Sequence, residues 1–527
     1  MIQSIPLSAL PDHYPAFLQN ETDILPGQLR SLERFNEKHR EELVRSLLGD
    51  LREWDAPAAA IRSAEKFRGE NSYGVVTGQQ AGIASGPLYT LYKAVSTIRV
   101  AEMLAEKYPD HEFVPVFWIE GDDHDFDEAR TIHLPERSGN LRTLRYDDKD
   151  ERRISVGDRK VSEEGLNAVL EEVREVIGET DFTSDLLELV RSSYSGRTLA
   201  EGFARFFYGL LGDSPLVLLS SRNAGLKRLA SDIFLQEAEH PEEQYRAITT
   251  RTVAMQGEGL PTPIDPKPGA LFIQHEGERR SLDPEGEEYV IRGTDVRITK
   301  GEVVRLAKEH PEQLSPNVLL RPVVQDAILP TAIYLGGPSE VAYLHQISDL
   351  YPLFGMEAPA IAPRPFVTLI EPKVLRAIEG GELTVQRLLE RSFDPEDHVL
   401  DSTKTEEIES ELEAGKKLIA DAFGRLKGLT SEIDKSLEKT LGAQQHKAEK
   451  ELENFVGRLR GGLKRKSETE IRRIEGARES LLPGGKLQER MLNILYYANK
   501  YGLESVRRML EEIEVMPGET QVIRVGS

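Results

Sequence analysis

The 527-residue chain contains no cysteine. That absence excludes disulfides, thiolate-bound zinc, iron–sulfur clusters and a catalytic thiol of the protein's own. No apolar run approaches the roughly 20 residues that a helix needs to cross a bilayer. The N-terminus shows neither the basic nor the apolar segment of a secretory signal. A cytoplasmic protein with no membrane partner is expected. Positive charge is scarce, with 67 Lys and Arg against 90 Asp and Glu and a net charge of −23. So acidic a chain repels a polyphosphate backbone except at a local basic face, so no nucleic-acid partner is expected. Four motifs are also missing: the GxGxxG fingerprint, the GxxxxGK[ST] loop, the EF-hand spacing and HExxH.

What is present is organised around residues 73–128. An apolar run at 73–77 leads into a glycine-punctuated loop with Gly78, Gln79, Gln80, Gly82 and Gly86. Pro87 then opens an amphipathic helix. A second apolar run, 113–119, breaks into an acidic loop, 120–128, that holds Asp122, Asp123, His124, Asp125, Asp127 and Glu128. Read as strand, loop, helix, strand and loop, this is a parallel βαβ unit. Both loops then sit at the carboxyl edge of one sheet, where ligands bind.

The rest of the chain divides by rhythm. Residues 1–70 are expected to be mostly helical, with 71–135 as the first part of a core. Residues 136–200 lose the strand–helix alternation and read as an insertion. Its charge run at 147–153 is expected to be a solvated loop. The core resumes over 201–244, and 245–315 breaks again into a β-rich insertion with short strands near 270–275 and 288–292. Core residues 316–374 contain a strand at 331–335, a second glycine turn with Gly336, Gly337 and Ser339, and strands at 358–361 and 366–370 around Arg364. About five parallel strands with helices between them give an α/β, doubly wound sheet carrying two insertions. Over 375–482 apolar residues fall three or four apart, as at Leu426, Leu429, Ile433, Leu437, Leu452, Phe455 and Leu459, which predicts a long α-helical coiled coil, as a hairpin or a dimer arm. Residues 483–527 read as a tail that packs on the core and ends in a strand near 521–525.

Several groups are candidates for chemistry. Gly78, Gln79, Gln80 and Gly86 let a ligand approach backbone amides, with uncharged carboxamide donors beside it. Asp122, His124 and Asp125 are candidate catalytic residues. Either His124 is a general base with its pKa raised by carboxylates, or the acidic cluster holds a hard cation with substrate phosphates. Tyr89 and Lys93 lie on the helix after the first loop, where Lys93 is placed to reach a phosphate. Gly336, Gly337 and Ser339 open a second helix, and Arg364 between two prolines is a candidate anion ligand. A basic stretch from Arg458 to Arg473 reads as a solvated helix face with Glu partners.

These motifs resemble the BshC family of bacillithiol biosynthesis. The likeness rests on TGQQAG and GPLYTLYKA, on FWIEGDDHDFDE, on SPNVLLRPVVQDAILPTAIYLGGPSEVAYLHQ, then a coiled coil, then GGKLQERMLNILYYANKYG, in order over nearly the whole chain. The resemblance implies a Rossmann-like core similar to class I aminoacyl-tRNA synthetases, two connecting insertions, and a coiled coil that pairs chains into a homodimer. It implies a ligase that joins cysteine to glucosaminyl-malate as an amide, with ATP as activating co-substrate and Mg²⁺ as a possible companion. An ATP phosphate is expected at the helix start by Gly86. Adenylate and acyl-phosphate routes both stay open, because the turn at Tyr89–Lys93 lacks the histidines of the synthetase signature. The alternatives are a metal-dependent hydrolase or transferase built on 122–128, and a non-catalytic dimeric nucleotide-binding protein.

Overall fold

The computed structural model describes residues 3–6, 34–136, 139–380, 383–401, 405–515 and 518–526. It divides into two units, Met1–Ile370 with Pro483–Ser527, and Glu371–Leu482. Within the expected helical segment at 1–70, helices span Glu37–Glu53 and Ala58–Glu65, while 7–33 fall outside the described residues.

The first unit is built on a five-stranded parallel sheet. Its strands are β1 (Ser72–Gln80), β2 (Glu112–Glu120), β3 (Val217–Ser220), β4 (Thr331–Gly336) and β5 (Ala360–Pro363), in spatial order β5-β4-β1-β2-β3. All four pairings are parallel. The chain thus runs outward from β1 to β3, returns, and runs outward on the other side from β4 to β5. The reversal falls between β1 and β4, the place where a doubly wound sheet opens a crevice at its carboxyl edge.

These strands are nearly continuous apolar runs because both faces are covered. Val75, Phe113, Ile333 and Leu335 belong to one buried cluster, and Val76, Val116 and Tyr334 to another on the opposite face. Helix α1 (Leu88–Lys107) supplies Val100, Ala101 and Leu104 to the first cluster and Leu88, Leu91 and Ala94 to the second. Thr77 Oγ1 donates to the Leu335 carbonyl at 2.8 Å, a polar tie between the two central strands.

The crossover from β2 to β3 carries an antiparallel hairpin, Thr131–Pro135 with Leu141–Arg145, and helices Glu163–Ile177, Thr183–Tyr194 and Leu199–Leu211. The charge run at 147–153 is not simply solvated. Arg159 is buried and pairs with Asp148 at 2.6 Å, and Arg153 contacts the His124 ring. The crossover from β3 to β4 carries a five-stranded sheet that includes Leu271–His275 and Glu288–Ile291. One expectation needs correcting. Strand Phe366–Ile370 does not join the core sheet; it pairs in parallel with Glu519–Arg524, which pairs antiparallel with Gln3–Pro6.

The second unit holds helix α3 (Thr405–Ile433) and helix α4 (Leu437–Leu481), joined by three residues and folded back on each other. Leu452 packs against Gly415, and Lys416 pairs with Glu453 at 2.7 Å. The seam is therefore a hairpin within the chain. It does not cover all of its apolar residues: Leu429 is 53 % exposed, Ile433 80 % and Phe455 62 %. The basic stretch on α4 has acidic partners, with Lys464 beside Glu396 and Arg472 beside Glu468.

Candidate functional site

The glycine loop inferred from sequence begins later than expected. Gly78, Gln79 and Gln80 are the last residues of β1, paired with Trp118, Ile119 and Glu120 of β2. Gly78 is required there, because a Cβ would lie 2.9 Å from the Trp118 carbonyl oxygen. The turn proper is 81–87, where Ala84 and Ser85 both take positive φ, 51° and 69°. L-residues resist that conformation, so surrounding structure must hold it. Asn493 does so by donating to the carbonyls of Ala84 and Gly86, each at 2.9 Å, and Tyr194 donates to the Gly82 carbonyl at 2.7 Å.

This packing closes the helix start that had been expected to take a phosphate. The Leu88 N–H already donates to the Leu492 carbonyl at 2.9 Å, and Ser85 and Leu88 are buried. Gly86 lines neither of the two cavities beside α1, although its neighbour Pro87 lines one of them, and Gly86 takes a positive φ of 71°.

The open space lies at the reversal point. A cavity of about 300 Å³ is lined by Gly78, Gln79 and Gln80 of β1, Trp118 and Glu120 of β2, Tyr89 and Lys93 of α1, Arg321, Tyr334, Arg364 and Arg490. Its remaining wall is the start of helix α2 (Pro338–Gln346), through Gly337, Pro338, Ser339, Glu340 and Tyr343. Eight of the residues inferred from sequence meet here: Gly78, Gln79, Gln80, Tyr89, Lys93, Gly337, Ser339 and Arg364. Gly336 stands just behind, at the end of β4, and its carbonyl accepts from the Arg364 N–H at 2.8 Å.

Two of the cations are fixed by buried partners. Lys93 is 1 % exposed. Its ammonium donates to the Gly78 carbonyl at 2.8 Å, to Gln79 Oε1 at 3.1 Å and to Glu340 Oε2. Glu340 also accepts the Gly337 N–H at 2.8 Å and the Tyr334 hydroxyl at 2.9 Å. Burial works to raise the Glu340 carboxyl, but Lys93 and these donors prevail and hold it below its usual range. Arg364 pairs with Glu489 at 2.6 Å and lies against the rings of Tyr89 and Phe366. Lys93 and Arg364 thus brace the cavity and tie β1, α2 and the C-terminal segment together; neither is a free anion ligand.

The other two cations are less engaged. Arg321 donates only to neutral groups, Gln325 Oε1 at 3.0 Å and the Tyr343 hydroxyl at 2.6 Å, and Arg490 is exposed. Neither has an ion-pair partner among the described residues. Arg321, Arg490, Glu120, Trp118, Tyr334, Glu340 and Tyr343 were not singled out from sequence. The available signal was a charge stranded among apolar residues, as in Leu319-Leu320-Arg321-Pro322.

Residues 122–127 of the acidic loop lie outside this wall, while Glu120 is part of it and Glu128 comes within 3.5 Å of Tyr89 and Gln79. The Asp122 carboxylate is buried between Arg222 at 2.6 Å and Lys227 at 2.8 Å. Burial alone would raise it, but Lys227 and Arg222 overcome that and lower it. Asp125 caps the short helix Phe126–Ala129 by accepting the Asp127 N–H at 3.2 Å. His124 lies between Arg153 and Arg279, with 3.4 Å to the latter. Its pKa is lowered, first by burial and then by Arg153, which reverses the expected direction. Among the described residues no group of three or more His, Asp or Glu is arranged to hold a metal.

Comparison with known proteins agrees with this architecture. The model "Bacillithiol biosynthesis BshC, N-terminal Rossmann-like domain" matches residues 16–365, and "Bacillithiol biosynthesis BshC, C-terminal coiled-coil domain" matches 367–525. The chain belongs to the BshC family. A member from Chlorobaculum tepidum is 30% identical over 498 residues, covering 92% of this chain and 88% of the relative. One from Chloroherpeton thalassium is 31% identical (90% and 86%), and one from Bacillus cytotoxicus 28% (92% and 91%). All three carry the name "Putative cysteine ligase BshC". Both BshC domains are thus present, a Rossmann-like unit and a coiled-coil unit.

Proposed function

We propose that this chain is a carbon–nitrogen ligase that joins the carboxylate of cysteine to the amine of glucosaminyl-malate, with ATP as co-substrate. The names of the relatives support the reaction class. The observation that carries the reading is the convergence of Arg321, Arg490 and the amide end of α2 on one cavity at the reversal point of the sheet. Guanidinium groups and a helix start suit phosphate and carboxylate oxygens, and Arg321 makes no direct ion pair, although Glu120 in the same wall and Asp326 act on it at longer range. ATP supplies the leaving group that makes a carboxylate electrophilic. The chain's own residues do the rest. Lys93 and Glu340 fix the cavity walls, Gln79 offers a carboxamide, and Tyr89 and Trp118 give apolar faces that exclude water.

A metal-dependent hydrolase built on 122–128 loses its support, because Asp122 is already neutralised by two cations and Asp125 serves as a helix cap. Titration calorimetry with ATP and with cysteine tests the ligase reading. Saturable binding of both, and formation of the amide in a coupled assay, is the expected result. If neither binds, the ligase reading fails.

The hairpin of α3 and α4 supplies the proposed contact between two chains. Its exposed Leu429, Ile433 and Phe455 are the support. Ile433→Lys with Phe455→Lys should reduce the mass in light scattering to that of one chain, 59.2 kDa. Leu452 is a poor probe, since it packs inside the hairpin.

A further inference from the structure

A second cavity, of about 680 Å³, adjoins the first and shares Tyr89 and Arg490 with it. Its walls come from α1, the 131–145 hairpin and the C-terminal segment. Three cations face it: Arg145 on the hairpin, and Lys486 and Arg490 on the segment after residue 483. None has an ion-pair partner among the described residues. His133 lies in the same wall and donates to or accepts from Thr143 Oγ1 at 3.0 Å. Burial, then Lys486 and Arg145, push its imidazole below the usual value, as a positive local field requires.

At the neck toward the first cavity a carboxylate joins the shared Arg490. Glu128 stands beside Tyr89 there. Its Oε1 lies 3.5 Å from both the Tyr89 hydroxyl and Gln79 Nε2, at the long limit of hydrogen bonding. It has no ion-pair partner among the described residues. One end of this cavity therefore suits carboxylates and the other an ammonium group. A polyphosphate would satisfy the cations but meet Glu128 unfavourably. An amino compound that carries carboxylates satisfies both.

We infer that this second cavity is the subsite for the amine substrate: Arg145, Lys486 and Arg490 hold a dicarboxylate, and Glu128 holds the amine at the neck, facing the first cavity. The inference deepens the ligase reading and rests on it for the identity of the amine. It assigns the two substrates to adjoining cavities, with the reacting nitrogen at their junction.

The test uses the full-length chain and direct binding, with malate and glucosaminyl-malate as probes and ADP as the phosphate control. In Arg145→Gln with Lys486→Gln, both probes should bind at least tenfold more weakly, while ADP affinity stays within twofold. Lys486→Arg should restore most of the malate binding. Glu128→Gln should weaken glucosaminyl-malate at least fivefold and leave malate within twofold, because only the former carries an amine. The substituted side chains are at the surface, and equal thermal melts would confirm that the variants fold. Unchanged probe binding in the double variant overturns the proposal. So does a loss confined to ADP, which would mark the cavity as a phosphate site, or a failure of the native chain to bind either probe. Failure of the ligase reading alone looks different: glucosaminyl-malate binds and the variants lose it, yet cysteine and ATP give no product.

Discussion

The acidic loop after β2 and the cavity beside β1 are both dense in charge, and both lie at the carboxyl edge of the sheet. They differ in what their charges face. In the loop, Asp122 is enclosed by Arg222 and Lys227, and His124 by two guanidinium groups, so the groups at its centre are satisfied by other side chains; Glu128, at the end that meets the cavity, is not. In the cavity, Lys93 and Arg364 are satisfied in the same way, but Arg321 and Arg490 are not, and space remains between them. Charge density alone does not make a site. A charge left without a charged partner, next to a volume that a ligand can enter, does.

The strongest way to break this comparison is to remove one member of a buried pair from each region. Lys93→Met leaves the half-buried Glu340 without its cation, and Asp122→Asn leaves Lys227 and Arg222 facing a neutral amide. Each should cost about 3–5 kcal/mol in denaturant unfolding, since breaking a buried pair leaves an uncompensated charge. The functional readouts should diverge. Lys93→Met also loosens the cavity wall, so the folded fraction should lose ligand binding, whereas the folded fraction of Asp122→Asn should keep it. The Asp122 carboxyl is depressed from 3.8, so its contribution is present above that pH and is lost as pH falls through the folded value. Equal binding losses in the two variants would erase the distinction drawn between the regions.

The next largest effect belongs to a residue with no charged partner. Arg321→Gln removes a guanidinium that faces the cavity and breaks no direct ion pair, only the longer-range attraction to Glu120 and Asp326. It should lower turnover by about 10²-fold or more, with unfolding free energy changed by less than about 1 kcal/mol. Full activity would move Arg321 to a packing role.

Much of this was legible in the sequence, and the failures have physical causes. The parallel strands could be read because burial on both faces makes them continuous apolar runs, and the seam of α3 and α4 because its period is helical. Of the eight sequence-selected residues that line the candidate cavity, Gly78, Gln79, Gln80 and Gly337 stood out because glycines and amides at a strand end mark close backbone approach. Phe366–Ile370 was assigned to the wrong sheet because an apolar pentapeptide does not reveal its hydrogen-bond partner; that depends on Glu519–Arg524, some 150 positions away. The pairing of Lys93 with Glu340 spans 247 positions, so a lysine on a helix carried no local sign that it was buried. His124 was given the wrong pKa direction for a similar reason. Its carboxylate neighbours are adjacent in sequence, while Arg153 and Arg279 arrive from two insertions.

Buried carboxyls sharpen the contrast, since Asp122 has two cations, Glu340 one, and Glu237 none. Glu237 accepts only the Ala270 N–H, at 2.8 Å, and its other oxygen is buried without a partner. Burial therefore raises its pKa from 4.5 to about 8. Between those values the unfolded chain has released the proton and the folded chain keeps it, so this group makes stability fall as pH rises. Between pH 6 and 7 the native chain should lose about 1 kcal/mol to this group, and Glu237→Gln should remove that slope. Thermal or urea unfolding at the two pH values measures it. An identical slope in native and variant chains would show that Glu237 is not the carboxyl responsible.

The smallest effect is expected where the sequence drew most attention. An imidazole that acts as a general base must reach its substrate and hold a pKa near the working pH. His124 fails the first condition. It is outside the wall of the first cavity, and burial with Arg153 and Arg279 around it keeps it neutral and engaged as an acceptor. Asparagine keeps an acceptor of similar reach for one of those arginines. His124→Asn should therefore change turnover by less than about threefold, about 0.65 kcal/mol in barrier. It should also leave the pH–rate profile without a shifted limb. A fall of about 10²-fold, the size a lost general base produces, would return the acidic loop to the chemistry. It would also mean that the cavity at the sheet reversal is only part of the working site.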